Sequence, residues 1–157
     1  MEELTAGFVF RLATVKDEFP ATSRQLHVGH IQIEDEEEAR AARLERDPMF
    51  SVWDCEKTSI AQVRHIRGSV AETAAFSFDV GRIRSIRVVL PITTKLLRVF
   101  RDPLDPPGSG LPGASGHCGI SGLYRRSGEE KEPFKRARQA LASISQPYSD
   151  SDQAERW

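Results

Sequence analysis

A run of prolines and glycines, Arg101 to Leu123 (RDPLDPPGSGLPGASGHCGISGL), constrains the fold of this chain more than any other stretch. Pro and Gly interrupt regular structure so strongly that the chain must leave its core here. It re-enters at the short apolar segment that carries His117 and Cys118. That segment, His117 to Leu123, reads as a strand. Neighbouring strand residues point to opposite faces, so the two side chains do not form a dyad. Cys118 packs inward as a small hydrophobe and His117 faces a cleft or solvent beneath the loop. The loop, residues 102–116, is exposed, and connections of this length often act as lids.

The rest of the chain supplies short elements of both kinds. Phe8 to Leu12 is aromatic and β-branched, hence a strand, and Thr14 to Ser23 with Pro20 is a loop. Leu26 to Ile31 alternates apolar and polar residues as a strand does. Asp35 to Arg46 is a helix with an acidic first turn and a basic last turn, stopped by Pro48. Phe50 to Trp53 is a strand. A helix capped by Thr58 or Ser59 runs through His65 to Gly68. Thr73 to Val80 is a strand, Arg82 to Ile86 a helical turn or a continued strand, and Lys95 to Arg101 a further strand. A last helix spans Lys131 to Ile144, with Pro133 in its first turn and Phe134, Ala137, Leu141 and Ile144 on one face. The sum is an α+β fold: one mixed or antiparallel sheet of about five or six short strands with about three helices. Residues 1–145 form a single domain and 146–157 a flexible tail.

Composition narrows the class. The chain has 157 residues, 39% apolar and 29% charged, as expected of one soluble domain. Cys55 and Cys118 lack C-x-x-C spacing and read as the reduced thiols of a cytoplasmic protein. The acidic N-terminus does not resemble a secretory signal, and no apolar run approaches the ~20 residues that a spanning helix needs. Net charge is −1, so no global attraction to nucleic acid or membrane is expected. Arg82 to Arg101 nevertheless carries six cations and no acid. Arg82 and Arg84, on one strand face, are candidates for contacting a phosphate or an acidic partner, although that face lacks the stacking aromatics of a single-strand binder. The solvated face of a half-buried sheet is the simpler account.

Other motifs are weak. Gly108 to Gly113 matches G-x-G-x-x-G, but prolines precede and interrupt it and no helix follows to hold a pyrophosphate. The glycine-flanked serines lack the spacing of a nucleophile elbow. His27 and His30 flank Gly29 and do not make a metal pair, so no metal is expected.

The order of features from residue 8 to 123 resembles a loosely defined group of small uncharacterised bacterial proteins. The features are Phe10-Arg11, then Phe50-Ser51-Val52-Trp53 before Thr58-Ser59-Ile60-Ala61, then Val80-Gly81, Asp102-Pro103 and Gly116-His117-Cys118-Gly119-Ile120. That resemblance implies no particular activity. The first half is also faintly similar to ADP-ribosyltransferase-like folds, including RES-type toxins. There a strand Arg and a later strand Ser help bind a nicotinamide cofactor. The resemblance implies those roles for Arg11 and Ser51. It also implies a catalytic Glu at the end of a late strand, where this chain has none.

Two functional expectations follow. The first is a small bacterial protein that binds a protein partner as an accessory component of a larger defence or toxin–antitoxin type of system, without a cofactor. The alternative is an NAD- or nucleotide-using enzyme of ADP-ribosyltransferase-like type with a cleft near His117, Arg11 and Ser51. The discriminating observation is whether those three side chains meet in one cavity.

Overall fold

Strands that alternate two apolar sets must be covered on both faces, and the second strand of this protein does so: Val9 and Ala13 face one side, Phe10 and Leu12 the other, all buried. In the computed structural model, which describes residues 1–15, 24–68 and 72–150, the elements run β1 (Glu3–Leu4), β2 (Phe8–Thr14), α1 (Asp35–Arg43), β3 (Phe50–Asp54), α2 (Ile60–Arg67), β4 (Thr73–Asp79), α3 (Val80–Ile83), β5 (Arg87–Val89), β6 (Thr94–Leu96), β7 (Arg98–Arg101), β8 (His117–Ser121), α4 (Glu132–Ile144) and β9 (Gln146–Pro147). Seven strands form one sheet in the order β1-β7-β8-β3-β2-β4-β9, every neighbour antiparallel, and β5 and β6 form a separate hairpin. The fold is α+β.

The main core lies on the face that carries Val9, Phe50, Val52, Phe76, Phe78, Val99, Cys118 and Ile120. Phe134, Ala137 and Leu141 of α4 cover it. On the opposite face Phe10, Leu12 and Trp53 pack against Val63 of α2. Helix α2 starts as its sequence dictates. Ser59 Oγ accepts from Gln62 N, Gln62 Oε1 accepts from Ser59 N, and Gly68 closes the helix at φ +64°. No helix among the described residues is long and apolar enough to cross a membrane.

Several elements differ from their expected form. Leu26–Ile31 is not a strand; Val28–His30 is a 3-10 turn whose first N–H groups are met locally, with His27 Nδ1 accepting from Gly29 N at 3.0 Å. Helix α1 ends at Arg43 rather than Arg46, and Glu45 sits at φ +54°. This early stop frees the Arg46 guanidinium to fold back onto Glu37 at 2.8 Å. The continuous strand expected over Lys95–Arg101 is two strands in two sheets, divided at Leu97, which is fully buried and whose N–H donates to Ile86 O. Arg82 and Arg84 do not share a strand face. Arg82 lies in α3, whose first turn is capped by Asp79, and Arg84 ends it. The tail is docked as far as the described residues extend. Gln146–Pro147 pair with β4, the Tyr148 ring lies 5.0 Å from that of Phe10, and Asp150 accepts from Ile60 N. Residues 151–157 lie outside the described residues, as does most of the expected loop over Thr14–Ser23.

Candidate functional site

The site forms where the sheet opens. Strands β2 and β3 pair only at Val9↔Asp54 and Phe10↔Trp53, whereas β2 and β4 pair along seven residues. Continuing the same register would set Leu12 opposite Ser51, but the two strands have parted by then. The guanidinium of Arg11 enters the gap. Its Nη1 donates to the Ser51 carbonyl oxygen at 3.1 Å and its Nη2 pairs with Glu34 at 2.9 Å. Its Cζ lies over the Phe50 ring, 5.0 Å from the ring centre. Burial pulls the Arg11 guanidinium below its usual pKa, and the pairing with Glu34 opposes that pull.

On the other side of β3, register decides the chemistry. Pleating sends Phe50 and Val52 into the main core and Ser51 and Trp53 to the opposite face. Strand β8 pairs with β3 so that Trp53 meets His117 and Val52 meets Cys118. The rings of Trp53 and His117 make an edge contact at 4.8 Å. From there the imidazole reaches diagonally across the ladder, and its Nε2 lies 2.7 Å from Ser51 Oγ. Its Nδ1 lies 2.6 Å from the backbone oxygen of Asp102. A carbonyl only accepts, so Nδ1 carries the proton, and Nε2 accepts from the Ser51 hydroxyl. The Asp102 carboxylate is 3.6 Å from Nδ1. It is itself clamped by Arg40 at 2.6 Å and Arg46 at 3.3 Å. Burial holds the His117 imidazole below its usual pKa despite the carbonyl and carboxylate beside Nδ1, so it is neutral at neutral pH.

Arg11, Ser51 and His117 therefore line one cavity of about 230 Å³, together with Leu12, Glu34, Glu36, Glu37, Arg40, Trp53, Ile66, Arg67 and Leu104. Arg67 donates to the Leu12 carbonyl at 3.2 Å. The Pro/Gly loop contributes Leu104 to the wall and is tied down at several points. Arg40 and Arg43 bind Asp105, and Thr58 Oγ1 donates to Gly113 O at 2.6 Å. The G-x-G-x-x-G stretch leads into a 3-10 turn and β8, not a helix, so it offers no helix N-terminus to a phosphate. Arg82 and Arg84 do not line this cavity. Larger cavities of about 550 and 520 Å³ lie by Tyr124, one beside Arg138 and one beside Arg98; neither is lined by a His or Cys.

The thiols are set apart from this chemistry. Burial pushes Cys118 up to about 12 and Cys55 up to about 11. Sequence reasoning named Arg11, Ser51 and His117 but missed the acids of α1, the clamp of Arg40 and Arg46 on Asp102, and the wall residue Trp53. One signal was available: Asp102 is the first acid after the cationic run and opens the proline loop. Comparison with family models, with curated proteins and with solved structures finds no match for this chain.

Proposed function

We propose that the protein is an enzyme that takes a phosphorylated, nucleotide-type small molecule into the cavity between Arg11, Ser51 and His117. The observation that carries this reading is the convergence of those three side chains, from β2, β3 and β8, on one cavity with a serine hydroxyl 2.7 Å from an imidazole nitrogen. The arginines of the lining match phosphate oxygens, and Trp53 and His117 supply an aromatic wall for a planar ring. The acids of the lining, Glu34, Glu36 and Glu37, balance the arginines. A lining of both signs favours a ligand that is anionic at one end and cationic or hydrogen-bonding at the other, as NAD is. The volume is below the roughly 300–1,000 Å³ of drug-sized pockets, so the cavity takes one end of a dinucleotide rather than the whole. The similarity to ADP-ribosyltransferase-like folds adds the roles of Arg11 and Ser51. The carboxylate which that resemblance lacks at a late strand has a substitute in the acids of α1.

Thermal-shift measurement against NAD, mononucleotides and sugar phosphates tests the reading. A ligand at 100 times its Kd stabilises the fold by about 2.7 kcal/mol, a shift easily seen. A shift in the wild type that is lost in Ser51→Ala supports it. No shift with any member of the panel overturns it.

A second reading, binding of a protein partner, is favoured by one different observation. The β5–β6 hairpin exposes Val89 (62%), Leu96 (49%) and, at its turn, Ile92 (99%). Recovery of the protein from its host only as a free monomer, unchanged by Ile92→Asp, removes this reading.

A further inference from the structure

We infer that Ser51 is a nucleophile, with His117 as its general base, and that the electrophile is a phosphoanhydride of the nucleotide-type ligand. The inference rests on the cavity reading above and goes beyond it by assigning a covalent step.

Three features of the geometry carry it. The direction of the Ser51–His117 hydrogen bond is fixed, because the Asp102 carbonyl engages Nδ1 at 2.6 Å and leaves Nε2 only its lone pair. At 2.7 Å the hydroxyl proton already points to the atom that must receive it. A serine held merely for structure could equally accept a proton from Nε2, and this arrangement excludes that. The Asp102 carboxylate lies 3.6 Å from Nδ1, where it faces the positive charge that the ring gains on taking the proton. Arg40 and Arg46 hold that carboxylate in place. Finally, Ser51 and His117 both line the cavity, and Arg11 and Arg67 in the same lining supply positive charge beside any phosphoryl oxygens bound there.

The step balances without a redox partner. Ser51 Oγ forms a bond to phosphorus as its proton passes to His117 Nε2. The bond from phosphorus to the bridging oxygen breaks, and the remainder of the ligand leaves as a phosphate, with its electron pair on that oxygen. His117 returns its proton to the leaving group or to solvent. Water then attacks the phosphorus of the phosphorylated Ser51, giving its proton to Nε2. The phosphorus–Oγ bond breaks with its electron pair on Oγ, His117 returns the proton to that oxygen, and the second phosphate is released as the serine is restored. The net reaction is hydrolysis of the phosphoanhydride.

A fluorophosphonate probe tests the assignment on the intact protein. It carries a tetrahedral phosphorus with a good leaving group and reports a reactive serine by a mass increase. The wild type is expected to label at Ser51, located by peptide mass spectrometry, and Ser51→Ala not at all. His117→Gln can still donate to the Asp102 carbonyl but cannot accept the proton. It is expected to label about a hundredfold more slowly, and a melting curve verifies that it is folded. Labelling elsewhere only, or folded His117→Gln labelling as fast as the wild type, overturns the inference. The nucleotide thermal shift separates the two proposals. A shift without labelling removes the nucleophile and keeps the cavity reading. Labelling without a shift keeps the nucleophile but removes the nucleotide-type electrophile.

Discussion

Arg11 Nη1 donates to the Ser51 carbonyl oxygen at 3.1 Å, across the opening where β2 and β3 stop pairing. One guanidinium therefore does two things. It satisfies a backbone acceptor that the parted strands leave to it, and it forms part of the cavity wall on which Ser51 and His117 meet. The gap in the sheet and the site are one feature.

The two partners of Arg11 are not equal in energy. Glu34 is 51% exposed at its side chain, and such ion pairs contribute at most about 1 kcal/mol. The Ser51 carbonyl sits in a partly buried contact, and an acceptor left unmet in such a place costs up to about 1–3 kcal/mol. Arg11→Met is expected to lower stability in urea by about 1–3 kcal/mol, and Glu34→Gln by less than about 1 kcal/mol. Equal losses would show that the ion pair, not the carbonyl, is the main contribution.

Acid should weaken the fold through His117. Its native pKa is lowered by burial, while the unfolded chain titrates near about 6.5. Below that value the unfolded state binds a proton that the native state refuses, so stability falls as the pH drops toward the native value. The slope from this one site is at most about 1.4 kcal/mol per pH unit. The groups that set the native value are Asp102, Arg40 and Glu37. His117→Gln lacks the titrating ring and should show a shallower loss between neutral and mildly acidic pH. The other histidines are present in both proteins and cancel in the comparison. Parallel pH profiles for the two proteins would contradict this.

Gly116 marks where the loop closes onto α2's entry. A Cβ there would stand 1.9 Å from Thr58 Oγ1, the hydroxyl that holds the Gly113 carbonyl. Gly116→Ala is expected to lose about 1–3 kcal/mol by displacing that bond and overpacking the junction. Gly110→Ala, whose Cβ meets nothing within 4 Å, is the control and should be nearly neutral. Thermal melts of the two variants make the comparison.

Neither thiol should react in the native protein. Cys118 is fully buried, and its thiolate is disfavoured up to about 12. Cys55 is raised to about 11. At pH 8 both should resist a disulfide exchange reagent until the protein is unfolded in denaturant, when both react. Rapid native labelling of either would place it in a different environment.

Much of this structure is legible in local sequence. The aromatic and β-branched run of β2, the capping box and terminal glycine of α2, and the apolar stripe of α4 each state their element within one or two turns. Elements fail where a neighbour overrides them. Lys95–Arg101 alternates as a single strand, yet Leu97 must be buried at the junction between hairpin and sheet, so the chain changes partner there. Leu26–Ile31 also alternates, but a glycine and a histidine that caps its own backbone make a turn cheaper than a ladder.

By itself the sequence determined that His117 and Cys118 lie on opposite faces of one strand, because the strand period is two, and that Ser51 and Trp53 share a face. Tertiary structure alone decided that β3 lies beside β8 with Trp53 opposite His117, bringing a hydroxyl and an imidazole from 66 residues apart to hydrogen-bonding distance. Local alternation fixes which face a side chain takes. It carries no information about which strand lies alongside or in what register, since those follow from how the whole set of apolar faces is buried at once.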